Sequence, residues 1–409
     1  MGAPAARVSE LSRHWVNAGH EVTVLSGFPN HPDGVIRPEY RKHFYRGVHR
    51  DEIDGIEIVR TWLLPFPNRK SYERVLNYSS FCASASITGS FLDRPDVVIA
   101  TSPQLLVGVS GWWISKLKNT PLVLEIRDLW PESLAAVGVG GSHSMLHRAL
   151  AKLAGFLYRK ADHIAVVTPA FRERLIGDWQ VPDQKISIIR NGVETQLFSP
   201  HKSDPQLRKA LNAEEKFVVS YIGTLGLAHG LETLITAAER LQFIAPQVLL
   251  LFVGEGAERE RIVSLAKSKG LHNVRFVPQQ DREKIPAYIC ASDACLVLLK
   301  KSPVFETVIP TKMLEFMSCA RPIILAVDGQ ARSILESSRS GIYTPPENAD
   351  GLCKAILQLQ QQPSLRQEMG KSGRNYIVQN LSRQSTADDY LNLLHTLTEG
   401  KPLVAQAAA

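Results

Sequence analysis

Along the chain, short continuous apolar runs alternate with stretches whose apolar residues recur every three or four positions. Residues 21–25, 96–100, 121–126, 163–168 and 186–189 are runs of strand length. Between them, residues 5–18, 69–92, 105–117, 144–160 and 169–176 carry helical spacing. The first of these places Val8, Leu11, Trp15 and Val16 on one face. Ile56, Ile58 and Val59 mark a shorter strand behind an Asp54-Gly55 turn. After the turn-rich stretch 191–205 the alternation restarts. Strands are expected at 216–222, 248–253, 274–277, 294–299, 323–327 and 341–343, and helices between them and at 349–361, 364–380 and 385–397. Repeated strand–helix alternation predicts parallel α/β sheets. The restart predicts two domains, residues 1–195 and 206–381, with the helix over 382–397 packing back on the first. A chain of 409 residues is long enough for two cores.

Composition narrows this reading only slightly. The net charge of +7 comes from basic residues spread over both halves. That gives no block for nucleic acid, while an anionic sugar nucleotide or an acidic membrane surface fits as well. Arg37, Arg41, Lys42, Arg46, Arg50, Arg69, Lys70 and Arg74 suit lipid head groups or simply a solvated face. Five cysteines without a C-x-x-C pair point to a reducing cytoplasm and away from a metal knuckle. Residues 75–92 and 97–115 lack charge over nearly membrane-spanning lengths. The first is rich in Ser, Thr and Asn and the second contains Pro103, so neither reads as a span.

Candidate chemistry gathers in residues 302–327. Pro310 closes a loop, Thr311 suits an N-cap, and Met313, Leu314, Phe316 and Met317 give the next helix an apolar face. Free amides at such a helix start suit a phosphate. Glu315 lies one turn on, on the face of Thr311, where it could accept hydrogen bonds from two ribose hydroxyls or merely face solvent. The stretch 223–230, GTLGLAHG, follows a strand, and its glycines would let backbone approach phosphates closely or simply turn the chain. Arg127-Asp128 just after a buried strand is a poor structural filler and favours a functional role. No carboxylate pair, nucleophile elbow or ligand spacing nominates hydrolytic or metal chemistry.

The run PTKMLEFMSCARPIILA resembles the signature of retaining glycosyltransferases of family 4. That resemblance implies the GT-B architecture, two Rossmann-like domains facing across a cleft, with the donor on the C-terminal domain and the acceptor on the N-terminal one. In the family, seven residues usually separate the two glutamates. Glu315 matches the second, while the first position falls on Thr307, with Glu306 one place off. The family's diphosphate loop usually carries an arginine and a lysine where this chain has Thr224 and His229 beside Gly223. Lys312 is then the first candidate to neutralise the diphosphate, with Lys300 and Lys301 next. Gly254-Glu255-Gly256 matches a family turn near the donor, and Phe276-Val277-Pro278 a segment whose backbone reads the base. Arg127 stands where a histidine usually reaches the donor sugar, beside a matched Asp128. Asn30 and His31 face the acceptor side in that architecture.

DLWPES, GFPNHP, NGVETQLFSP and IPTKMLE together resemble the subgroup that adds N-acetyl-L-fucosamine to lipid-linked O-antigen or capsule repeats. The resemblance implies a UDP-sugar donor, a polyprenyl-diphosphate-linked sugar acceptor and no metal or other cofactor. It also implies a cytoplasmic protein peripheral on the inner membrane. A GT-B sugar-nucleotide 2-epimerase and a catalytically impaired binding protein remain rivals. In the family a buried central strand and a turn precede the equivalent of Gly2-Ala3-Pro4, with Gly2 near the donor. Met1 therefore reads as an internal methionine. The expected consequence is a sheet lacking its first strand, with a helix first and no strand before residue 20.

Overall fold

The computed structural model describes residues 3–30, 34–67, 71–102, 104–130 and 145–399. The chain divides into two compact units, Asn191–Thr386 with Met1–Ala6, and Arg7–Arg190 with Ala387–Ala409. The first described element is the helix Ala3–Asn17, and the first described strand is β1 (Thr23–Gly27).

In the Arg7–Arg190 unit, β1, β2 (Val48–Ile53) and β3 (Ile56–Thr61) form a three-stranded sheet in the order β1-β3-β2. β1 and β3 are parallel, while β2 and β3 form a hairpin. Its turn is Asp54-Gly55, with φ of 55° and 75°, the double left-handed geometry that favours such a pair. A second sheet is parallel throughout and runs β4 (Val98–Thr101), β5 (Leu122–Ile126), β6 (His163–Val166) and β7 (Ile186–Ile188). Trp15 and Tyr390 meet edge to face at 5.3 Å and share a core with Leu11, Val123 and Ala165. The Trp15 indole donates to the Ala387 carbonyl at 3.2 Å. Arg7 is buried on the same helix, a charge that the apolar spacing did not anticipate.

The Asn191–Thr386 unit holds one six-stranded sheet. Its strands are β8 (Phe217–Ile222), β9 (Val248–Val253), β10 (Val274–Val277), β11 (Ala294–Leu298), β12 (Ile323–Ala326) and β13 (Gly341–Tyr343). All are parallel, in the order β10-β9-β8-β11-β12-β13. β8 and β9 are buried at every position, as expected of central strands covered on both faces. Alternate residues feed opposite cores: Val219 and Tyr221 join Leu234 and Ile356, while Val218 and Ile222 join Met313 and Phe316. The strand order reverses between β8 and β11. Connections leave those two strands in opposite directions and open a crevice at their carboxyl ends, where parallel sheets bind ligands.

Candidate active site

The loop after β8 is stacked on the loop after β9. The Gly223 amide donates to Val253 O, Leu225 N to Glu255 O and Glu258 N to Leu225 O, each at 2.9 Å. This approach needs glycine. A Cβ on Gly254, at φ +147°, would stand 2.1 Å from the Gly223 carbonyl oxygen. Gly223 itself, at φ +136°, lies under Lys312, whose Nζ would be 2.9 Å from a Cβ there.

Lys312 is thus delivered over the glycine loop from the helix Thr311–Ser318, which follows β11. Its amine donates to Tyr221 Oη at 2.8 Å and lies 3.9 Å from that ring's centre. Tyr221 Oη donates onward to the Thr224 carbonyl at 2.8 Å, and burial raises its pKa, so the hydroxyl stays neutral. Burial lowers the Lys312 pKa to about 7, against an opposing pull from Glu315. The amine is therefore ready to gain a full charge when an anion arrives. His229 Nδ1 lies 3.2 Å from the Leu298 carbonyl and must carry the proton there. Burial, then Lys312, holds its pKa down to about 3. The ring is neutral with an accepting Nε2, so His229 supplies no cation. Thr224 is exposed, as are Lys300 and Lys301.

The expected N-cap shifts by one residue. Pro310 occupies that position with ψ 123° and no side-chain cap bond, and Thr311 is the first helical residue. The proline's fixed φ sets the turn into the helix, and its carbonyl accepts from Met313 N at 2.9 Å. Glu315 Oε1 accepts from Arg282 Nη1 at 2.9 Å, both side chains being largely buried. Arg282 also lies 4.9 Å over the Phe198 ring. Glu306 is exposed, and its carbonyl abuts Gly329, where a Cβ would stand 2.0 Å away. The Thr307 hydroxyl turns inward to Val304 O at 2.7 Å. The Val277 carbonyl accepts from Gly254 N at 3.0 Å, and the Pro278 carbonyl from Gln280 Nε2 at 3.0 Å.

The Arg7–Arg190 unit has its own charged cluster at the carboxyl end of β5. Glu125 Oε1 accepts from Arg7 Nε and Nη2 at 3.0 and 2.8 Å, and Oε2 from Thr101 Oγ1 at 2.7 Å. Arg7 also donates to the Ile189 and Arg190 carbonyls. Burial would raise the Glu125 pKa, but Arg7, Arg127 and Thr101 prevail and hold it below the usual value. Arg127 places its backbone N–H on Ser102 Oγ at 3.0 Å. Its Nε and Nη1 are buried with no hydrogen-bond partner among the described residues. Burial lowers its pKa, partly offset by Glu125, yet a guanidinium stays charged. Burial raises the Asp128 pKa to about 6, with Arg127 opposing. Such a pair can hold an anion and, at Asp128, exchange a proton near neutral pH.

Of the residues nominated on the acceptor side, Asn30 has a buried Nδ2 with no partner among the described residues, and His31 lies outside them. Gly2 is likewise outside, as are residues 131–133 of the DLWPES motif. Tyr221 and Arg282 escaped the sequence reading. Tyr221 left a signal, a polar-tipped aromatic ending a buried strand just before a glycine loop. Arg282 left none. Among the described residues, no group of three or more His, Cys, Asp or Glu is placed to hold a metal ion.

Known proteins match this chain over most of its length. Residues 2–192 match the family described as Glycosyl transferase 4-like domain, and residues 203–376 match Glycosyl transferases group 1. The protein is a glycosyltransferase of the GT-B fold, built from these two domains. Its relatives include the Escherichia coli K12 protein named as the colanic acid biosynthesis glycosyl transferase WcaI. That protein is 24% identical over 393 residues, or 92% of this chain and 93% of the relative. Sucrose-phosphate synthase from Thermosynechococcus elongatus shares the fold with a TM-score of 0.76 and 22% identity, over 98% of this chain and 94% of that one. Anabaena HepE in complex with UDP-glucose superimposes with a TM-score of 0.68 and 17% identity, over 92% of this chain and 100% of that one.

Proposed function

We propose that this glycosyltransferase acts in bacterial surface polysaccharide synthesis. It moves an N-acetylamino deoxyhexose, L-FucNAc, from UDP to a polyprenyl-diphosphate-linked sugar at the inner membrane face, with retention and without a metal. The observation that carries the reading is the Lys312 amine, held half-buried over the Gly223 backbone and braced by neutral Tyr221. A diphosphate settling on the glycine loop would meet that amine and the first amides of the Thr311–Ser318 helix, which supply the charge otherwise brought by a metal. The UDP-glucose held by HepE and the colanic acid named for WcaI support the donor class and the setting. Arg127 and Asp128 are then the groups that meet the transferred sugar, and Glu315, backed by Arg282, the ribose. Arg127 in the usual histidine's place agrees with a sugar that has no 6-hydroxyl.

The test incubates the enzyme with UDP-L-FucNAc, with and without lipid-linked acceptor, in EDTA. Acceptor-dependent release of UDP is expected. Donor turnover without acceptor would instead identify a 2-epimerase, donor binding without turnover an impaired binding protein, and rescue by magnesium would overturn the metal-free step.

A further inference from the structure

The helix Ser71–Ser90 presents an unusual surface. Its exposed side chains are Tyr72, Val75, Leu76, Ser79, Ala83 and Ile87, and none carries a charge. Its two charged residues are turned aside, Glu73 being buried and Arg74 half-buried. A water-facing helix ordinarily shows its charges on this face. The apolar surface continues beyond the helix. Phe91, just past its end, is 84% exposed. Trp113 donates from its indole to Ser90 Oγ at 3.1 Å, and with Leu117 it stands exposed on the adjoining helix Leu105–Lys118. On the other side Ser84 Oγ bonds the Trp62 carbonyl. The partly exposed Trp62 ring stacks on Phe44, which touches the 85%-exposed Tyr45. Exposed cations flank these elements in the chain: among the described residues, Arg37, Arg41, Lys42 and Arg46 with the acid Glu39 on the Tyr45 side, and Arg94 and Lys116 with Asp93 and Asp96 on the Phe91 side, so the excess of positive charge lies on the Tyr45 side.

We infer that this face docks the protein on an anionic lipid surface, with the helix Ser71–Ser90 lying in the plane of the head groups. Leucine, isoleucine and phenylalanine would enter the acyl boundary, tyrosine and tryptophan would sit at head-group level, and the flanking cations would meet lipid phosphates. Among the described residues no helix is long and apolar enough to cross a membrane, which leaves contact at the surface. The inference deepens the lipid-linked-acceptor reading, but vesicle binding is measured with no acceptor or donor present, so either can fail alone.

The experiment sediments the full chain with vesicles of phosphatidylglycerol and phosphatidylethanolamine, and with phosphatidylcholine vesicles. Binding to the anionic vesicles is expected. It should fall about tenfold or more in the triple variant Leu76→Ser, Ile87→Ser, Phe91→Ser, and weaken in salt. A second variant, Arg41→Glu with Lys42→Glu, leaves the helix intact and should also lose anionic binding. Wild-type protein that ignores anionic vesicles, or variants that bind as wild type does, would overturn the inference. So would a dimer in ultracentrifugation that the triple variant abolishes while no vesicle is bound, which would give the face to a second copy of the chain.

Discussion

Each unit holds a half-buried cation near the carboxyl end of a buried strand, and the two are handled differently. Lys312 has a neutral phenol as its nearest partner and a pKa brought down to about 7 by burial. Arg127 sits beside a buried carboxylate, Glu125, which Arg7 grips through two nitrogens. An amine can release its proton when the site is empty, so it needs little counter-charge. A guanidinium cannot, and a permanent buried charge requires a permanent buried partner. On the proposed function, the Lys312 site acquires charge with its ligand and the Arg127 site holds charge in advance.

The largest expected effect comes from breaking the permanently charged cluster. Arg7→Met leaves Glu125 buried without its main partner and should destabilise the Arg7–Arg190 unit by about 3–5 kcal/mol. Denaturant unfolding of the full chain checks this, and adding Glu125→Leu should return much of the loss. An Arg7→Met protein of unchanged midpoint would mean the pair is not what fixes that end of β5.

A smaller effect is expected at Asp128. Its pKa in the folded state, about 6, lies above the ordinary 3.8. The native protein keeps this proton longer than the unfolded chain, so stability from this group is lost as pH rises from about 4 to 6 and stays lost above. Asp128→Asn should remove that decline, be more stable than wild type at pH 7.5 by about 1–3 kcal/mol and so melt at a higher temperature. Parallel melting curves for the two proteins from pH 4.5 to 7.5 would contradict the buried-acid description.

The same contrast marks what was legible in the sequence. β8 and β9 announce themselves because central parallel strands are apolar at every position. β2 did not, since VHRDEI is an exposed, antiparallel edge strand with polar residues on both sides. Gly223, Gly254 and Lys312 could be nominated because a glycine loop and a helix start are local features. Their brace, Tyr221, and the Arg282 that holds Glu315 come from 91 and 33 residues away in the chain. Arg7 and Glu125 are 118 residues apart, and the helical spacing around Arg7 pointed to Val8 and Val16, which are only half-buried. Ion pairs between distant elements leave no periodicity to read.

The central claim is that Lys312 meets the donor diphosphate, and UDP titration calorimetry between pH 7 and 9 tests it most directly. Below about pH 7 the free amine is already charged. Above it, binding must take up a proton, so wild-type affinity should fall as pH rises, by up to about tenfold per unit. Lys312→Met should bind UDP about tenfold or more weakly near neutral pH and show no such slope. Equal affinities for the two proteins, or a wild-type affinity that does not change with pH, would contradict the account.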